Sequence, residues 1–155
     1  MRCITSRSKE INGAPAAVWA VISDIRNAHN HISAIKHIEI LEQPPEGSLI
    51  GLKWKETREW MGRDMDEVMW ITDAGENSFY ETRAESHGCI YQSRLELVPT
   101  STGTTLTMAF YCQPQSMGAK IMWVLTGWMA KNSLSKAFDK DLEDVKKTVE
   151  SQTER

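Results

Sequence analysis

Residues 104–125 read TTLTMAFYCQPQSMGAKIMWVL, and the fold turns on the change of pattern at Pro114. Before the proline the period is two. Leu106, Met108, Phe110 and Cys112 share one face of a strand, with Thr105, Thr107, Ala109 and Tyr111 opposite. After it the period lengthens to about 3.6. Ile121, Val124, Leu125, Trp128, Phe138, Leu142, Val145 and Val149 then form one apolar stripe with a gap at 131–135. The stripe predicts a long C-terminal helix, kinked or restarted near Gly127, with residues 150–155 as a frayed tail. Within it IMWVLTGWMA (121–130) is far short of the ~18 apolar residues of a membrane span and reads as a buried helix segment.

Upstream of Pro114 lies a succession of strands. CIYQSRLELV (89–98) sets Cys89, Tyr91, Ser93, Leu95 and Leu97 against Ile90, Gln92, Arg94 and Glu96. SFYETRAES (78–86), MDEVMWITD (65–73), SLIGLKWKETREW (48–60), AIKHIEILEQ (34–43) and RCITSRSKEI (2–11) read the same way. In AIKHIEILEQ, alternation groups Ile35 with His37, Glu39 and Leu41, away from Ile38 and Ile40. PPEG, MGRD, DAGEN, His87-Gly88 and PTSTG are turns. After the first strand, Pro15 suits the first turn of a short helix carrying Val18, Val21, Ile22 and Ile25; RNAHNHIS (26–33) is a loop or a second short helix. Short connections imply an antiparallel sheet of seven strands, with the long helix as its only large cover. A curved sheet around one helix cannot be filled everywhere and leaves a pocket between them.

The strand LKWKETREW (52–60) is unusual. Leu52, Trp54, Glu56, Arg58 and Trp60 share a face, so two tryptophans sit beside two charges. A ligand pocket, mostly apolar with a few orienting polar groups, accepts both. A bulged edge strand whose charges reach water, or the reverse phase with the tryptophans on the convex side, are the other readings.

The chain has 155 residues, 41% apolar and 25% charged, with a net charge of −3, as befits one globular domain spanning 1–155. No lysine or arginine run marks a nucleic-acid footprint. The N-terminus MRCITSRSKE has no apolar core of a signal peptide. Cys3, Cys89 and Cys112, an odd number without paired spacing, read as reduced thiols, and the expected location is cytoplasmic. His29, His31, His37 and His87 lack the spacing of a metal site, and no cofactor motif is present. Six tryptophans and eight methionines fill either a core or an adaptable apolar pocket.

Several segments carry a family resemblance. INGAPAAVWAVISDI places Ala14, Pro15, Trp19 and Asp24 in a strand-to-helix opening; GLKW supplies Gly51 and Trp54; LVPTSTGTTLT supplies Pro99, Gly103, Thr104, Leu106 and Thr107; LEDVKKTVE ends the helix. In this order they resemble the START-like and Bet v 1-like (SRPBCC) superfamily, in its polyketide cyclase/dehydrase branch. The resemblance implies an α+β helix-grip fold: a curved antiparallel seven-stranded sheet wrapped around a long C-terminal helix, with one or two short helices after the first strand. HISAI, with His31 and Ser33, departs from the Trp and Pro that members often carry in the loop after the first helix, at the cavity mouth.

Three functions are open at this point. The expected one is binding or transport of a small hydrophobic or aromatic molecule, a lipid, quinone or polyketide-like compound, by a monomer or homodimer. Its expected binding residues are Trp54, Glu56, Arg58, Tyr91, Ser93, Met108, Phe110, Trp123 and Trp128. A cyclase/dehydratase-type enzyme would use Glu56 as base, Arg58 for oxyanion stabilisation and Tyr91 as acid. A protein-interaction module would show an exposed apolar patch instead of a closed cavity.

Overall fold

The computed structural model describes residues 1–153, apart from the side chains of Trp128 and Thr153. Its strands are β1 (Arg2–Ile11), β2 (Ile35–Glu42), β3 (Lys53–Trp60), β4 (Arg63–Gly75), β5 (Phe79–Ser86), β6 (Cys89–Pro99) and β7 (Thr104–Pro114). They form one antiparallel sheet in the order β1-β7-β6-β5-β4-β3-β2. Helix α1 (Pro15–Ile22) and a 3-10 helix (Ile25–Asn30) follow β1, and α2 (Met117–Thr153) closes the chain. This is the helix-grip arrangement expected from the sequence.

Local chemistry sets the strand connections. Met61-Gly62 and His87-Gly88 are two-residue turns in which both residues have positive φ, 52° and 78° in the first, 52° and 72° in the second. That pairing matches the twist of the strands it joins, so β3–β4 and β5–β6 are tight hairpins. In β2 the register shifts between Ile35 and His37. The bulge turns Ile35 to the same side as Ile38 and Ile40, opposite Arg58, Glu56 and Trp54 respectively, where strict alternation had separated them.

The core lies where the concave sheet meets α1 and the C-terminal half of α2. Val18, Val21 and Ile22 of α1 pack with Ile11, Leu97, Leu106, Leu142, Val145 and Val149. Gly13 permits the closest approach, since a Cβ there would lie 2.7 Å from Cγ1 of Val149. Beside it, Thr104 is fully buried and its hydroxyl donates to the Gly13 carbonyl at 2.7 Å. A Cβ on Gly103 would lie 2.1 Å from the Ile11 carbonyl oxygen. The β6–β7 turn, the end of β1 and the end of α2 therefore meet at one point.

α2 does not restart near Gly127 but runs as a single helix to Thr153; residues 154–155 lie outside the described residues. Nor is its apolar stripe buried throughout. Phe138, Leu142, Val145 and Val149 are buried, whereas Ile121, Val124 and Leu125 are 55%, 83% and 65% exposed. Segment 121–130 is consequently not a buried helix segment.

The glycines give a paired test. Gly103→Ala must displace backbone and should cost about 1–3 kcal/mol in urea unfolding. Gly118→Ala, in α2 with open space around the new methyl, should be neutral or stabilising by up to about 1 kcal/mol. Equal effects at the two sites would contradict the close approach at Gly103.

Candidate functional site

A cavity of about 310 Å³ lies between the concave face of the sheet and α2. Its wall is largely apolar, with Trp54 and Trp60 of β3, Met69 of β4, Leu95 of β6, Met108 of β7 and Phe138 of α2 among the lining residues. Met65 of β4, 41% exposed, marks its rim. The face of β3 that mixed tryptophan with charge is thus the concave face.

The charges form one cluster. Arg58 Nε donates to Glu56 Oε2 at 3.3 Å, and its Nη1 donates to Asp141 Oδ1 at 3.1 Å. Arg58 Nη2 lies 2.9 Å from Asp141 Oδ2. Trp54 Nε1 donates to Glu56 Oε1 at 3.4 Å, tying the first tryptophan into the same group. Burial works against the Arg58 cation, but Asp141 and Glu56 overcome it and raise its affinity for the proton. Burial also pushes the Asp141 carboxyl above the usual carboxylate range, against the pull of Arg58. Two carboxylates face one guanidinium here.

Tyr80 completes this end of the cavity. It is buried, meets Trp19 edge-on at 6.2 Å between ring centroids, and lines the cavity. Burial raises its phenol, and the charges of Glu56 and Asp141 add to the effect. His31 lines the cavity as well, and its Nε2 is buried without a hydrogen-bond partner among the described residues. The loop bearing it is pinned to α2, because Asp144 Oδ2 accepts from both the backbone N and the Oγ of Ser33 at 2.9 Å. Burial alone would raise the Asp144 carboxyl; Lys140 and the two Ser33 donors hold it below the ordinary value.

Of the residues singled out from the sequence, Trp54, Glu56, Arg58, Ser93, Met108 and Phe110 line this one cavity. Tyr91 and Trp123 do not. Tyr91 stacks on Phe110 at 5.5 Å, and Tyr91 and Trp123 border a separate recess with Cys89 near the β5–β6 turn. There Trp123 Nε1 donates to Cys89 Sγ at 3.2 Å, and burial followed by the neighbouring Cys89 pushes Cys112 up to about 12. The side chain of Trp128 lies outside the described residues. Sequence reasoning missed Asp141 and Tyr80, and had His31 only in the loop at the cavity mouth. Asp141 had a usable signal: it stands three residues after Phe138 and four before Val145, a charge at the helical spacing of the buried face. Among the described residues no cluster of His, Cys, Asp and Glu has the makings of a metal site.

The ion cluster predicts a specific pH response. Because the folded state holds the Asp141 proton more tightly than the unfolded chain, its contribution to stability is complete below the unfolded pKa and is lost as pH rises through the folded one. Arg58→Met removes the compensating cation, and should cost about 3 kcal/mol at pH 8. The deficit should shrink as pH is lowered and Asp141 becomes neutral. A deficit independent of pH, in thermal unfolding of both proteins, would show that packing and not charge holds the cluster.

The description "polyketide cyclase / dehydrase and lipid transport" belongs to the family that matches residues 2–150. No curated protein sequence matches the chain. Solved structures share the fold at low identity. A START superfamily protein from Mycobacterium smegmatis is 16% identical with a TM-score of 0.78, covering 96% of this chain and 97% of its own. The Zhui aromatase/cyclase from Streptomyces sp. R1128 is 13% identical with a TM-score of 0.78, over 98% of this chain and 95% of its own. A polyketide-cyclase-like protein from Corynebacterium glutamicum is 14% identical with a TM-score of 0.65, over 99% and 95%. With a match that runs from the first strand to the last turns of α2, the chain belongs to the polyketide cyclase/dehydrase and lipid transport family.

Proposed function

We propose that this protein binds a small, uncharged, largely aromatic molecule bearing a hydroxyl group, and holds it in the cavity for sequestration or delivery. The supporting observation is the composition of the wall: apolar and aromatic side chains around a cluster of two carboxylates and one guanidinium, with Glu67 as a further carboxylate on the wall. An excess carboxylate in a low-dielectric site repels an anionic head group and attracts a hydrogen-bond donor. A phenol or alcohol satisfies that condition; a fatty-acid carboxylate does not. His31 Nε2 supplies a second polar point for the ligand to meet. A cavity of about 310 Å³ stands at the small end of ligand sites, in keeping with a molecule of a few fused rings.

Acid–base catalysis on a bound polyketone is the second reading, and one observation favours it. Asp141, raised by burial, is suited to hold and release a proton, with the Tyr80 phenol lining the same cavity. In this version Asp141 and Tyr80 take the places that the sequence offered to Glu56 and Tyr91.

Calorimetry with a matched series separates these ideas. 1-Naphthol should bind more tightly than naphthalene, and naphthalene more tightly than 1-naphthoate. Ala137→Trp, which fills the cavity from α2, should abolish binding of all three with little change in Tm. Glu56→Gln should weaken naphthol about tenfold while sparing naphthalene. If naphthoate binds best, the charge argument is wrong; if none binds, the cavity reading is. Mass spectrometry of small molecules released from the purified protein would name the natural occupant, and a product that accumulates from a polyketone unless Asp141→Asn is present would favour catalysis.

A further inference from the structure

The N-terminal half of α2 is covered on one narrow side only. Ala119, Trp123 and Ala130 border the recess against the β5–β6 turn and the start of β6. The opposite side carries Met117, Ile121, Val124, Leu125 and Met129, all exposed, with Val124 at 83%, and the exposed Met122 stands at the boundary, bordering the recess as well. At 100° per residue these six occupy an arc of about 160°. Beyond Met129 the outward positions turn polar, with Lys131, Asn132 and Lys136 exposed. Residues 115–138 contain Lys120, Lys131 and Lys136 and no aspartate or glutamate, in a chain whose net charge is −3. Leu134, little more than one turn past Met129, turns away from this arc and lines the cavity.

We propose that this face docks on an anionic lipid surface, lying in the interface with its apolar arc in the acyl boundary and the three lysines at the head groups. No helix of the described residues is long and apolar enough to cross a membrane, so the mode is interfacial. The charge distribution selects this occupant over a second copy of the chain. A self-complementary contact would bring the lysines of both copies to one interface with no carboxylate in the segment to pair them. Anionic head groups supply that missing partner. The docking itself does not depend on what the cavity holds.

The test is co-sedimentation of the full chain with vesicles of phosphatidylcholine and phosphatidylglycerol (7:3), or of phosphatidylcholine alone, with sedimentation velocity of the free protein alongside. The expected result is a monomer that binds the anionic vesicles, at least about tenfold more weakly without phosphatidylglycerol. Val124→Glu/Leu125→Glu should lower vesicle binding about tenfold or more, and the milder Val124→Ser/Leu125→Ser should lower it with the Tm unchanged. Failure of the anionic vesicles to bind, or binding indifferent to both pairs of substitutions, overturns the proposal. So does a dimer that the glutamate pair dissociates, because the patch then belongs to a second copy. Naphthol calorimetry on the same samples keeps the two readings apart: naphthol binding without vesicle binding removes only the docking surface, and the converse removes only the cavity ligand.

Discussion

The Arg58–Asp141 pair joins the third strand of the sheet to the helix that lies across it, over a space left unfilled by apolar side chains. That geometry carries a physical requirement. A charge taken out of water must be met by another, and here the partner comes from a different element. The position of the C-terminal half of α2 relative to the sheet is therefore set by hydrogen-bond geometry at Asp141 together with the packing of Leu142, Val145 and Val149. A cavity between two elements fixed in this way keeps its shape when empty. Pre-formed sites of this kind spend little binding energy on reorganisation.

Much of this was legible in residue order because β-structure has a short, strict period. Alternation placed Leu106, Met108 and Phe110, and Ser93, Leu95 and Leu97, on the inner face, and gave β3 its mixed lining. Alternation fails where a residue is inserted. The bulge after Ile35 reverses the phase of β2, and nothing in AIKHIEILEQ announces it. The misplacement of Tyr91 has another cause. It does face inward, but Phe110 stacks on it and Phe110 in turn meets Phe138 at 6.1 Å, so the tyrosine lies outside the wall of the main cavity. Tyr80 occupies the equivalent role from the neighbouring strand, and the choice between two tyrosines depends on depth along the sheet, which period does not encode.

The helix shows a different limit. Periodicity identifies which residues share a side of a helix, and says nothing about what covers that side. At 1.5 Å per residue, the 37 residues of α2 extend about 55 Å, more than a strand of 8 to 13 residues can span. One end of a continuous stripe is buried and the other is in water for that reason alone. The buried carboxylate of Asp141 escaped notice for the opposite reason: helices near their ends are expected to be charged, and DKDLEDVKK looks like an ordinary solvent face.

The meeting point of Gly13, Gly103 and Val149 bears on how the molecule is made. β1 pairs with β7, so that Arg2 lies opposite Cys112, and the backbone N of Asn12 donates to Glu150 at 3.0 Å. The first strand has no neighbour in the sheet until the last strand exists, and α1 has little to pack against until the end of α2 arrives. Loop-closure entropy across nearly the whole chain must be met before those contacts return anything. During synthesis, then, the N-terminal strand waits with both edges unpaired until β7 has been added, and the charges among its side chains, Arg2, Arg7, Lys9 and Glu10, disfavour pairing of that waiting strand with another chain.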